Sequence, residues 1–342
     1  MIKRLIAFLT VTLALISCEN KPYDPVESLP ESSGEIGEVV VVMEKAYWTS
    51  SLMNVLNDKF AKEVQSLPQP EPLMTLKLVT NKGFSGNMMN HHSVLIVEIG
   101  GLKEGSQAFF GKPQANVWSK GQLVYKLKAP DLQSATELLE VHGDQLFDYF
   151  QDHYQNKIKN EIAANKSTSI NEELGLTMGV NIDVPNSFTL VSNYNDLIWI
   201  KQQRMKYVDG QDHEIQLGIL AYTYPYTDSL AFDMEHIVAR RDSMTKKYIP
   251  GMIEGSYMVT EQQYGLENKE THANGYFVSE TRGVWKMHKA IMGGPFMSLT
   301  IYDDKNQRIV CLEGYVHAPH FRKMPYIREL EAILYSFSFP SE

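Results

Sequence analysis

Phe296-Met297-Ser298-Leu299-Thr300-Ile301-Tyr302, then Asp303-Asp304-Lys305-Asn306, then Ile309-Val310-Cys311-Leu312-Glu313-Gly314-Tyr315-Val316: two β-rich runs are hinged on a polar cluster. Both runs have strand length, and the acidic and amide residues between them are turn formers, so the stretch predicts a hairpin. Upstream, residues 275–287 carry a third strand of the same kind, which makes a meander. Further back, 187–191, 197–202 and 214–224 read as strands. A helix is predicted over 228–248, with Leu230, Met234, Ile237, Val238 and Met244 as its apolar stripe, stopped by Pro250-Gly251. A short helix ends at Gly175, and a last one over 324–337 buries Tyr326, Leu330, Ile333, Leu334 and Phe337. Strands grouped together with helices at the ends predict an α+β fold, with helices packed on one face of a largely antiparallel sheet.

The first half has a different texture. Val39-Val40-Val41-Val42-Met43 is an unbroken apolar run, as suits a strand buried on both faces. Residues 50–64 show helical spacing (Leu52, Val55, Leu56, Phe60), and 73–79 and 94–99 are further strands. Val117-Trp118 and 123–127 predict a hairpin around Lys120-Gly121. A long helix from Asp131 to about Ala164 carries a stripe of Leu132, Ala135, Leu139, His142, Leu146, Tyr149 and His153. The small polar stretch 163–169 divides the body into two α/β subdomains, 38–165 and 166–342.

Before the body lies Met1-Ile2-Lys3-Arg4 and an apolar run from Leu5 to Ile16, too short to span a bilayer and suited to a signal peptide over 1–17. Leu15-Ile16-Ser17-Cys18 resembles the lipobox at which bacterial enzymes acylate a cysteine thiol and cleave before it. Cys18 is therefore the expected lipidation site and mature N-terminus. Residues 18–37, rich in Pro, Ser, Glu and Gly, form a flexible tether. The expected place is the outer membrane, lipid-anchored and facing the periplasm, with the cell surface as the alternative.

The chain has two cysteines, so acylation of Cys18 leaves Cys311 without a disulfide partner. Cys311 lies in an apolar strand and is expected to be a buried, inert thiol. Formal net charge is −9, and losing Lys3 and Arg4 with the leader takes it to −11. By its bulk field such a body is not expected to bind nucleic acid or anionic lipid.

No phosphate-cradling Gly-rich motif follows a strand, so no nucleotide is expected. The sequence suggests no metal and no cofactor. His91 and His92 are neighbours and would diverge on a strand, His317 and His320 lack a third ligand, and His213-Glu214 has no second histidine at helical spacing. Ser243-Met244-Thr245-Lys246 matches Ser-x-x-Lys, but the serine falls late in its helix, where the dipole opposes a developing anion. The most suggestive residues are Tyr222, Tyr224 and Tyr226, with Arg240, Arg241, Glu280 and Arg282. Together they make a candidate binding surface for a peptide, protein or glycan. Arg241 falls beside an apolar stripe and would need a carboxylate partner. An alternative is an envelope-polymer hydrolase with its site near Tyr222, Arg241 and Glu280. A cleft with unpaired carboxylates would favour the enzyme, and mutually paired charges would favour a non-catalytic binder.

Several motifs resemble one family. They are Leu29-Pro30-Glu31-Ser32-Ser33-Gly34 leading into Gly37-Glu38-Val39, Leu67-Pro68-Gln69-Pro70-Glu71-Pro72, Tyr222 to Ser229, Ala239-Arg240-Arg241-Asp242-Ser243, Lys246 to Gly251, Glu280-Thr281-Arg282-Gly283, Gly293-Gly294-Pro295-Phe296 and Leu330 to Leu334. Across the mature body the chain resembles the Bacteroidetes lipoproteins of domain of unknown function 4837. The resemblance implies an envelope lipoprotein held to a membrane by its N-terminal lipid. It supplies no activity and no catalytic residue.

Overall fold

A computed structural model describes residues 25–340 apart from Gln65 and Glu104. The leader and the Cys18 lipidation site lie outside the described residues.

The valine run becomes β1 (Glu38–Val42), every residue of which is buried. Next come α1 (Ser51–Phe60), a small pair formed by β2 (Glu63–Val64) and β3 (Glu71–Pro72), then β4 (Thr75–Val79) and β5 (Ser93–Ile99). Then follow β6 (Phe109–Phe110), β7 (Gln114–Ala115), β8 (Leu123–Ala129) and the helix α2 (Leu132–Ala164). The sheet runs β4-β1-β5-β8-β6, and its four main strands are parallel. That explains the unbroken run, because Val39 and Val41 face the main core while Val40 and Val42 face a second cluster with Val94 and Val124.

The hairpin expected around Lys120-Gly121 forms differently. β8 pairs in parallel with β5, and the two-residue strands β6 and β7 both pair antiparallel with it. α2 starts where predicted, with the Asp131 carboxylate accepting from the Ser134 N–H at 2.8 Å. Its buried stripe follows Ala135, Leu139 and Leu146, then continues through Phe150, Tyr154, Ile158 and Ile162 rather than Tyr149 and His153. His142 and Tyr149 are exposed. Four-residue steps carry the stripe one position past the expected aromatic.

His91 and His92 do not diverge on a strand. They precede β5 with their rings 4.5 Å apart. His91 Nε2 lies 3.5 Å from Glu38 Oε2, and His92 Nε2 lies 2.9 Å from the Glu35 carbonyl. Burial, and then the neighbouring His91, holds the His92 imidazole down to about 3. Burial opposes the charge on Glu38, but hydrogen bonds from His91 and Lys77 bring its carboxyl down to about 2. The unfolded chain therefore protonates at His92 as pH falls below 6.5, and at Glu38 below 4.5, while the folded protein resists both. Stability from these groups is complete above pH 6.5 and is lost progressively on acidification. Urea midpoints taken from pH 7 to pH 5 are expected to fall, and His92→Gln is expected to flatten that slope.

The second half contains α3 (Thr168–Met178), β9 (Thr189–Asn193), β10 (Leu197–Val208), β11 (Gln211–Pro225), α4 (Met234–Tyr248) and β12 (Met258–Thr260). It continues with β13 (Glu267–Ala273), β14 (Tyr276–Met287), β15 (Gly293–Asp303), β16 (Arg308–His317) and α5 (Met324–Leu334). Every strand pairing is antiparallel, in the order β12-β14-β15-β16-β11-β10-β9 with β13 also on β14. The hairpin of β15 and β16 pairs Thr300 with Cys311 and Ser298 with Glu313. The fold is α+β, a parallel α/β unit joined to a curled antiparallel sheet. α5 packs on one face of that sheet, where Gly314 leaves room for Leu330, and α4 covers part of the other.

The halves share a core: Val39, Leu56 and Phe150 belong to the same buried cluster as Leu299, Leu312 and Leu330. Glu71 of the first half accepts from the Lys323 and Met324 N–H groups and so caps α5. Among the described residues no helix is long and apolar enough to cross a membrane.

Candidate functional site

Alternation along the strands separates the residues that the sequence had grouped. On β11, Tyr222 and Tyr224 face α4, where Tyr222 is only 1% exposed and packs with Trp285, Phe296 and Tyr315. Arg241 is fully buried. Its Nε and Nη2 donate to Glu313 at 2.9 and 2.8 Å, and its Nη1 donates to Asp242 and Thr260. Burial works against the guanidinium charge, but Glu313 and Asp242 outweigh it and hold the group above its ordinary range. The carboxylate that Arg241 requires is thus Glu313.

Glu280 and Arg282 project from β14 toward α5. There Arg282 pairs with Glu280 at 2.6 Å and with Glu331 at 3.1 Å, and the Tyr335 hydroxyl donates to Glu280. Tyr222 and Arg241 therefore lie on the opposite sheet face from Glu280 and Arg282, and no cleft unites them. What remains on the surface is Tyr224, Tyr226 and Arg240. The Arg240 guanidinium sits 4.5 Å above the Tyr224 ring, and Tyr226 packs 4.5 Å from Tyr302. Tyr224 and Arg240, but not Tyr226, border a hollow of about 280 Å³ with His236 and Asp228.

His317, His320 and His213 are also held by neighbours. His317 Nδ1 lies 3.1 Å from the Gly293 carbonyl, and His320 packs against His213 rather than His317. Among the described residues, no three His, Cys, Asp or Glu side chains gather as a cation site. Cys311 is buried, and burial pushes its thiol up to about 12.

A larger groove, of about 600 Å³, opens at the other end of the same sheet face. Its floor is Trp285 of β14, Tyr315 of β16 and Met258 of β12, and its walls are Trp199 of β10, Ile249, Met287 and Met292. The aromatic floor is fixed by hydrogen bonds: Trp285 Nε1 donates to the Val316 carbonyl at 3.1 Å, and Trp199 Nε1 donates to the Tyr315 hydroxyl at 2.8 Å. Gly218 permits this arrangement, because a Cβ there would fall inside the Tyr315 ring. Gly218→Ala is expected to displace Tyr315 and cost about 1–3 kcal/mol, which urea denaturation followed by tryptophan emission would register.

The lips of the groove are two adjoining loops, residues 250–256 and 288–292. They expose Met252 and Ile291 completely, at 104% and 109%, with Ile253 beside them. The polar groups on the far wall bond one another: Glu214 accepts from Gln216 at 2.5 Å and also from Gln203. From sequence alone, Pro250-Gly251 reads only as a helix stop and Gly293-Gly294 only as a turn. The signal that could have found the groove is large aliphatic residues inside those turns, at Met252, Ile253 and Ile291.

The chain matches two family models that divide it between them. Residues 32–163 match a domain of unknown function, DUF8532, and residues 167–336 match a domain of unknown function, DUF4837. No curated protein matches the chain. The resemblance read from the sequence is matched over residues 167–336, and the parallel unit matches a different model. With the antiparallel sheet, α3, α4, α5 and the groove all inside the second match, residues 167–336 belong to the domain of unknown function 4837 family.

Proposed function

We propose that the chain is a membrane-anchored cell-envelope lipoprotein whose body is a non-catalytic binding module. Its ligand would be an apolar group of an envelope partner, taken between the lips at 250–256 and 288–292. One observation carries this reading: Met252 and Ile291 stand fully exposed over an apolar groove of about 600 Å³. Large aliphatic side chains rimming a concavity mark interaction sites, and covering each contributes about 1.5–3 kcal/mol. A peptide side chain or hydrocarbon tail suits the groove better than a glycan, because Trp285 and Tyr315 form a buried floor rather than an open stacking platform. No hydrolase is proposed, since the charged residues in question are paired and divided between two faces.

The anchor rests on the leader and on Leu15-Ile16-Ser17-Cys18. The expected setting is the outer membrane, with the body facing the periplasm. Cys18→Ala is expected to abolish labelled-palmitate uptake and release the protein from the membrane fraction. Unchanged label and unchanged retention would remove the anchor from this reading.

A further inference from the structure

We propose that the lips of the groove dock onto an anionic lipid leaflet, so that the groove opens at a membrane surface. This rests on the binding role proposed for the groove and names the surface it meets. The two lips form one patch: the His288 N–H donates to the Tyr257 carbonyl at 2.8 Å, and the Lys289 ammonium lies against Gly255. The patch presents Met252, Ile253 and Ile291 outward. Around these apolar tips stand cations. Lys246 lies 5.1 Å from the centre of the Tyr257 ring, and Lys201 lies 5.0 Å from that of Trp199. Neither Lys246 nor Lys289 has a carboxylate within ion-pair distance among the described residues. Lys247 and Lys286 are paired with Asp196 and Glu261, Glu254 stands on the first lip, and Glu214 shares the groove wall with Lys201.

In a chain of net charge −9, a cationic collar around exposed aliphatic tips is a local reversal, and its complement is negative charge over hydrocarbon. Aromatic rings beside lysines, as at Tyr257 and Trp199, belong to the same interfacial chemistry. The expected anchor at Cys18 holds the body near a leaflet, and the chain first meets Lys120 at Pro30, whose carbonyl accepts from the Lys120 N–H at 2.8 Å.

The test uses the full lipidated chain with Ile291→Cys carrying an environment-sensitive fluorophore. Cys311 is buried and will not compete for the label. Leu176→Cys, on an exposed site of α3, is the control. The chain is reconstituted in phosphatidylcholine vesicles with and without phosphatidylglycerol and with spin-labelled lipid as quencher. The expected result is a blue shift and quenching at position 291 only, dependent on phosphatidylglycerol. Lys289→Gln and Lys246→Gln should each weaken docking about fivefold. Position 291 is solvent-exposed, so a melting curve matching the parent excludes misfolding. An aqueous spectrum at 291 while the chain floats with the vesicles overturns the docking and leaves the anchor intact. Equal quenching without phosphatidylglycerol overturns the electrostatic assignment. Protection in native envelopes but not in lipid vesicles overturns it in favour of a protein cover. The groove's ligand role is read separately, from apolar-probe binding in solution, so the two failures are distinguishable.

Discussion

Arg241→Ala is expected to destabilise the protein by about 3–5 kcal/mol, the cost typical of leaving one member of a buried ion pair unmatched. Both partners are at 0% exposure, and the guanidinium meets Glu313 through two parallel hydrogen bonds while its face lies 4.0 Å from the Phe296 ring. Removing the arginine strands the Glu313 carboxylate in the sheet interior, with no water to solvate it. It also removes the donor that joins Asp242 and Thr260 to the network. Coulomb attraction and stranding can be separated. The double variant Arg241→Met/Glu313→Leu exchanges the pair for apolar groups and should recover most of the stability. Urea denaturation of both variants measures this, and equal destabilisation would show that packing, not charge, dominates at the site.

Trp285→Ala is expected to cost about 3–5 kcal/mol and to erase the groove floor. The indole is the largest fully buried side chain of the described residues, lies edge-on to Tyr315 at 5.4 Å and donates to the Val316 carbonyl. Its removal leaves a cavity and an unmatched backbone acceptor. Trp285→Phe keeps most of the volume and removes the hydrogen bond, so it should cost about 1–2 kcal/mol. The order Ala, then Phe, then parent in denaturation midpoint is the expected outcome.

How much of this is legible in the sequence depends on whether a local period or a tertiary register decides each feature. The valine run of β1 declares burial on both faces by itself, and Asp131 marks the start of α2 through its capping chemistry. The stripe of α2 drifts because Tyr149 and Phe150 are both aromatic. Only the neighbouring helix, through the edge contacts of Phe60 with Phe147 and Phe150, decides which one is buried.

The candidate surface divides for a related reason. Residue parity within one strand says which side chains share a face, but not which face of the next strand they join. That needs the register, in which Leu220 and Ser298 both oppose Glu313 while Glu280 opposes Leu299. Glu313 itself is a readable signal, a lone carboxylate between Leu312 and Gly314 in an apolar strand. The capping of α5 by Glu71 has no sequence signal, because Glu71 and Lys323 are 252 residues apart.

The most direct measurement on the groove is titration of the full chain with a fluorescent dansyl fatty acid, followed by energy transfer from tryptophan. The parent is expected to bind saturably. Met252→Asp and Ile291→Asp are each expected to weaken binding at least about tenfold, because each replaces an aliphatic side chain at a lip with a hydrated charge. Melting temperatures should stay unchanged, since both sites are solvent-exposed. Saturable binding that ignores both substitutions, or no binding by the parent, would contradict the groove as the functional site.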